Sequence, residues 1–143
     1  VDVGEGQLAK ALHHDRRITL LEKTNARHLN IAKNGPLGNA SISAVVSDVS
    51  FISIKLALPP SLERAELGAW AMLLVKPQFE VGRENIGKGG LVKNTAIAQN
   101  AAEEIASWID RQMGWRALGL VPSPIKGGDG NREFLLGAIK DRA

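Results

Sequence analysis

Apolar positions along the chain form short runs and helical stripes that take turns. Val1-Asp2-Val3 reads as the end of a strand closing at Gly4. Gln7 to His14 carries Leu8, Ala11 and Leu12 at helical spacing, which predicts a short amphipathic helix. Ile18 to Leu21 is an apolar run between Arg17 and Glu22, suited to a buried parallel strand. Asn30 to Asn39, with its glycines, proline and asparagines, reads as a loop. Ile42 to Val49 is rich in β-branched residues and predicts the next strand. A helix is expected from Ser53, with a break or restart at Pro59-Pro60, because proline lacks the donor and clashes with the preceding turn. Trp70 to Val75 is the clearest strand, and a Gly- and Lys-rich loop follows over Gly82 to Lys93. From Thr95 to Met113, Ile97, Ala101, Ile105, Trp108 and Ile109 share one face of a predicted helix, with Gly114 where a C-terminal cap belongs. Trp115 to Val121 and Glu133 to Ile139 are two more strands around a turn-rich segment, Pro122 to Arg132.

Strand and helix in alternation predict an α/β domain with a mainly parallel sheet. The last two strands have no helix between them and should pair antiparallel. At 143 residues the chain suits one domain. Hydrophobic residues make up 44% and charged residues 23%, an ordinary globular balance that excludes disordered and fibrous classes. Cysteine is absent, so disulfides and thiolate metal sites are excluded, which suits a reducing cytoplasm. The longest apolar run, Ala69 to Val75, is far short of the roughly 20 residues of a membrane-spanning helix, and no membrane partner is expected. The formal charge of +3 is compatible with a polyanionic partner and equally with solvated lysines. His13 and His14 are adjacent, cannot share one helical face, and are read as surface residues; no metal site is expected.

In open parallel sheets, ligands bind beyond the carboxyl ends of the strands. Asp2, Asp48 and Lys76 occupy such ends. A carboxylate there can accept two hydrogen bonds from a ribose diol. Asp48 and Lys76 each stand where an apolar strand stops, and two readings are open: a salt bridge across neighbouring strand ends, or a site for chemistry. Asn25 is open between approach to an adenine edge and a plain turn residue. Arg83, Lys88 and Lys93, among Gly87, Gly89 and Gly90, suit an RNA phosphate, or a surface loop ahead of the Thr95 helix.

The stretches VDVGEGQLA, LEKTNARHL, VVSDVSFISIKLALP, LLVKPQFEVGRENIGKGGLV and LGLVPSPIKGGDGNREFLL together resemble the haemolysin-A/TlyA family of FtsJ-like ribosomal RNA 2′-O-methyltransferases, from Val1 to about Lys140. The resemblance implies a Rossmann-like fold binding S-adenosylmethionine, and methyl transfer to a ribose 2′-hydroxyl of ribosomal RNA in the cytoplasm. Of the family's Lys-Asp-Lys-Glu set it assigns Asp48, Lys76 and Glu133, and the first lysine has no counterpart here. On the cofactor side the candidates are Asp2, Gly4 at the turn behind it, Asn25 and Asp48; on the RNA side they are Arg83, Lys88 and Lys93. Residues 1–143 would then be a partial methyltransferase domain, without the family's first strand, its Gly-rich turn and its amino-terminal S4-like RNA-binding domain.

Three expectations follow. The exposed strand edges should pair differently, swap with another copy, or leave part of the chain unordered. The chain alone should be inactive, with negligible affinity for the cofactor. Lys76 should accept the hydroxyl proton while Asp48 and Glu133 orient. The alternative function is a non-catalytic RNA- or ribosome-binding protein on the same fold. A nicotinamide dehydrogenase lacks its G-x-G-x-x-G after a strand, and no segment resembles a membrane-lytic helix.

Overall fold

The long strand Ala65–Val75 forms because residues 69, 71, 73 and 75 alternate with more exposed neighbours, and all four are buried. In the computed structural model, which describes residues 1–142, this strand is the second of four. β1 is Ile42–Ser47, β2 Ala65–Val75, β3 Trp115–Pro122 and β4 Phe134–Lys140. The sheet order is β1-β2-β4-β3. β1 runs parallel to β2, while β4 is antiparallel to both β2 and β3. Three strands therefore point one way and the last opposes them, inserted in the middle of the sheet. That is the mixed sheet expected, with its last strand antiparallel.

Helices α1 (Ile54–Ala57), α2 (Pro59–Arg64) and α3 (Thr95–Ile109) cover one face. Pro59-Pro60 begins α2, as the missing donors require. Ala98, Ala102, Ile105 and Ile109 of α3 close over Leu73, Val75, Phe134, Leu136 and Trp115 in one continuous core. The opposite face has no such cover: Val46, Trp70, Met72 and Leu118 are exposed there.

Several expected elements differ. β2 starts at Ala65, five residues before the predicted Trp70, because Gly68 takes φ +89 and the register with β1 slips between Ile42 and Ala44. A glycine in that conformation breaks the alternation that defined the strand. α3 stops at Ile109 and its C-cap is Asp110, not Gly114. Gly114 does adopt φ +80, but for a different reason: a Cβ there would lie 2.6 Å from the carbonyl of Arg142.

Ahead of β1, neither Val1-Val3 nor Ile18-Leu21 joins the sheet, and the expected helix over Gln7–His14 is a single 3₁₀ turn, Lys10–Leu12. That turn buries no residue, and a short helix without an apolar partner is not stable in water. The two extended segments instead bond to each other: Asp2 N donates to Leu21 O (2.9 Å), and Thr24 N donates to Asp2 O (2.9 Å).

Candidate active site at the strand ends

The carboxyl ends of β1 and β2 and the amino end of β4 meet at one rim. Asp48 follows β1, and Lys76 follows β2. The β2–β4 ladder ends at the Val75–Phe134 pair, which Lys76 follows on one strand and Glu133 precedes on the other. Lys76 Nζ donates to Asp48 Oδ1 at 2.6 Å and to Ser50 Oγ at 2.9 Å. The lysine side chain is 14% exposed and the aspartate 70%. Most of the lysine side chain is thus buried, while its partner faces solvent.

Glu133 is buried and makes no ion pair within 4.0 Å among the described residues. Its Oε1 accepts from Gln78 Nε2 at 3.1 Å. The backbone of Gly127 passes so close that a Cβ there would stand 2.6 Å from the same oxygen. Glu133 is therefore fixed by the Gln78 amide and by the close backbone of Gly127, with no ion pair to Lys76. The other amide atom, Gln78 Oε1, is buried with no hydrogen-bond partner, a cost that native interiors seldom carry without cause.

Beside the rim lies a cavity of about 410 Å³, lined among others by Asp2, Asn25, Asp48, Ser50 and Phe51. Its size is in the range of small-molecule sites. Asp2 and Asn25 are each partly committed: Asp2 Oδ1 accepts from Gly4 N (2.7 Å), and Asn25 Oδ1 accepts from Arg27 N (3.0 Å). Gly4 therefore shapes the Asp2 turn and does not line the cavity itself. Asn25 caps the turn at Ala26–His28 and also lines the cavity.

Arg83, Lys88 and Lys93 lie apart from this cavity, on an exposed loop closed by an isolated bridge between Ile86 and Val92. Arg83 and Lys88 make no ion pair among the described residues, and Lys93 Nζ donates to the carbonyl of Glu84. Buried Asn131 ties this loop to the rim. It accepts from Val92 N and donates to Gly90 O, both at 3.0 Å, two residues before Glu133.

Sequence reasoning missed Ser50, Phe51, Gln78 and Glu80. All four stand within SDVSF or KPQFE, so the motifs marked the segments without ranking their members. Phe51 has φ +62, is 91% exposed, and sets its ring 4.9 Å from that of Phe79. Glu80 accepts from Ser53 Oγ (2.5 Å) and Ile54 N (2.8 Å). Burial pushes its carboxyl above the usual range, against the opposing pull of those two bonds and of Lys55. No group of three His, Cys, Asp or Glu that could hold a metal occurs among the described residues, and no described helix is long and apolar enough to cross a membrane.

Against known proteins, the family model described as FtsJ-like methyltransferase matches residues 1–140. The chain is 39% identical over 135 residues to the 16S/23S rRNA (cytidine-2′-O)-methyltransferase TlyA of Mycobacterium tuberculosis, covering 94% of this chain and 48% of that one. It is 35% identical to Hemolysin A of Brachyspira hyodysenteriae, covering 94% and 55%. A crystal structure of a candidate hemolysin from Lactococcus lactis superposes with a TM-score of 0.85 at 39% identity, covering 98% of this chain and 65% of the other. The chain spans about half the length of the curated relatives it matches.

Proposed function

The chain belongs to the FtsJ-like methyltransferase family, and on that footing we propose that it carries the catalytic rim of an enzyme that methylates a ribose 2′-hydroxyl of ribosomal RNA from S-adenosylmethionine. The observation that carries this reading is the Lys76 amine, held at 2.6 Å by Asp48 on the edge of a ligand-sized cavity. The relatives named for cytidine 2′-O-methylation supply the acceptor class.

The donor set fits the cofactor. Asp2 and Asp48 offer carboxylates for a ribose diol and for the amino group of the methionine part, and Asn25 offers an amide for an adenine edge. When bound, S-adenosylmethionine supplies a sulfonium methyl that leaves as the carbon–sulfur bond breaks and a carbon–oxygen bond forms. The chain's own task is to bring the hydroxyl into line and remove its proton. With its amine neutral at the moment of attack, Lys76 takes up the proton that the 2′-hydroxyl loses as the carbon–oxygen bond forms. Asp48 and Ser50 hold the nitrogen in place, and Glu133, fixed by Gln78, orients the sugar. Alignment is the larger effect, worth on the order of 7–11 kcal/mol, whereas general-base help is worth about 10² to 10⁴-fold. Arg83, Lys88 and Lys93 contact the RNA backbone, where charge gives affinity without sequence choice.

The setting is the cytoplasm, with the ribosomal subunit as partner. By itself the 143-residue chain is inactive and binds the cofactor weakly, and two copies pair through the open edge of β1. The reading is tested on the full-length gene product by transfer of labelled methyl to ribosomal RNA. Lys76→Ala should lower the rate about 10² to 10⁴-fold. An unchanged rate would remove Lys76 from catalysis and leave an RNA-binding module on a methyltransferase fold.

A further inference from the structure

Residues 76 to 80 meet residues 48 to 54 at three separate points. Lys76 reaches Asp48 and Ser50, the Phe79 ring lies against Phe51, and Glu80 holds Ser53 and Ile54. The first two contacts involve groups that face the cavity or border it. The third does not. Glu80 is absent from the cavity wall and stands behind the loop.

Its cost needs a cause. A carboxylate is expensive to bury, and an isolated N–H at a helix start is usually satisfied by a short side chain or by water. Here the start of α1 already has such a side chain, because Ser53 Oγ accepts from Lys55 N at 3.1 Å. Glu80 adds bonds from Ser53 Oγ (2.5 Å) and Ile54 N (2.8 Å). Together these two bonds fix the far end of the 48–54 segment onto the turn that follows β2. The near end is fixed to the same turn by the Asp48–Lys76 pair. Between the two anchors, Phe51 stands in the left-handed region at φ +62, a conformation that persists only where the surroundings impose it.

We propose that Glu80 is a positioning residue for methyl transfer: it clamps Ser53 and Ile54 to the 76–80 turn, so that Asp48, Ser50 and Lys76 keep one mutual geometry. The inference rests on the reading of Lys76 as the proton acceptor. Glu80 touches neither hydroxyl nor cofactor and acts only through the loop.

The test uses the full-length gene product and initial rates of labelled methyl transfer to ribosomal RNA, with S-adenosylmethionine varied. Glu80→Ala should lower kcat about tenfold to a hundredfold, the scale of a small misplacement at a reacting centre, with KM for S-adenosylmethionine changed by less than about twofold. Glu80→Gln should recover most of kcat, since its amide oxygen still accepts from Ile54 N. Ser53→Ala, which removes one of the two bonds, should fall between them and serves if Glu80→Ala does not fold. In a Lys76→Ala background, Glu80→Ala should add little further loss. A wild-type kcat in both Glu80→Ala and Ser53→Ala overturns the clamp, and so does a full additional loss on top of Lys76→Ala. A wild-type rate in Lys76→Ala alone would instead overturn the reading beneath it, and that outcome is distinct from the others.

Discussion

Phe51 combines two costs that folding normally avoids. Its φ of +62 is strained for a residue with a side chain, by about 1–3 kcal/mol, and its ring is 91% exposed. The only aromatic contact it makes among the described residues, with Phe79, is worth about 0.5–1.5 kcal/mol. Stability therefore does not explain the conformation, whereas a ring held at the mouth of the cavity offers a flat surface for a base. Phe51→Gly should leave the thermal midpoint of the chain unchanged or higher, because glycine relieves the strain, while the rate of RNA methylation by the full-length gene product falls. A clear drop in midpoint would show that the ring stabilises the fold and that the strain has another origin. Glu80 gives a second test at this scale. Its carboxyl is raised by burial, so its contribution to stability is fully present below the ordinary carboxylate range and is lost as pH rises through the raised value. Glu80→Gln has no charge to bury and should gain on the wild type as pH goes from about 4 to about 7. A constant difference in urea midpoint across that range would remove the burial penalty. Asp48 and Lys76 were legible in the sequence because each is a charge where an apolar strand stops. Phe51 and Glu80 were not, since neither a backbone angle nor the desolvation of one carboxylate leaves a mark in hydropathy.

Among the elements, those with a clean period were readable and those shaped by one atom's clearance were not. The apolar stripe of α3 and the alternation of β2 past Gly68 appear where the pattern puts them. Gly68 and Gly114 show the limit: both take positive φ, one to slip a register and one to clear the carbonyl of Arg142, and the sequence distinguishes neither from an ordinary turn or cap. Lys140 was likewise silent. As the last residue of β4 it looks like a solvated end, yet its Nζ donates to the carbonyls of Leu62, Glu63 and Ala65 at 3.0, 3.1 and 2.7 Å. These are carbonyls at the end of α2, which the helix cannot satisfy itself, and the ammonium also answers the negative end of the helix. Trp115 Nε1 adds a bond to Leu62 O at 3.1 Å. The α2–β2 junction is thus fastened to β3 and β4 from across the sheet. Lys140→Met keeps the aliphatic stem and removes the charge. It should lower unfolding free energy by about 1–3 kcal/mol in chemical denaturation, the usual loss when partly buried acceptors lose a charged donor. A loss within about 0.5 kcal/mol, as at an ordinary surface site, would mean that water replaces the ammonium.

Across the whole molecule, the helical face of the sheet is closed and the other is not. Val46, Trp70, Met72 and Leu118 remain exposed, and β1 has no neighbour on its outer side among the described residues. The sequence did not foretell the open face, since an alternating α/β pattern usually places helices on both faces of a mainly parallel sheet. The first 41 residues misled as well: Val1-Val3 and Ile18-Leu21 have strand-like runs, but a strand needs a partner ladder, and here they find only each other.

This arrangement bears directly on the proposed cofactor. Val1, Asp2, Val3, Thr24, Asn25 and Ala26 supply one side of the 410 Å³ cavity, and none of them belongs to the sheet. Those segments are held by single hydrogen bonds and not by a ladder, so a ligand whose fit requires them to shift must fix them anew, at roughly 1–2 kcal/mol per residue of backbone. Four such residues would offset roughly 4–8 of the roughly 8 kcal/mol that a micromolar complex represents. The 143-residue chain alone should therefore show no S-adenosylmethionine binding at micromolar concentration in calorimetry. Micromolar affinity in that titration would mean that the wall formed by residues 1–3 and 24–26 is already in its binding geometry, and the explanation of weak binding by rearrangement of that wall would be wrong.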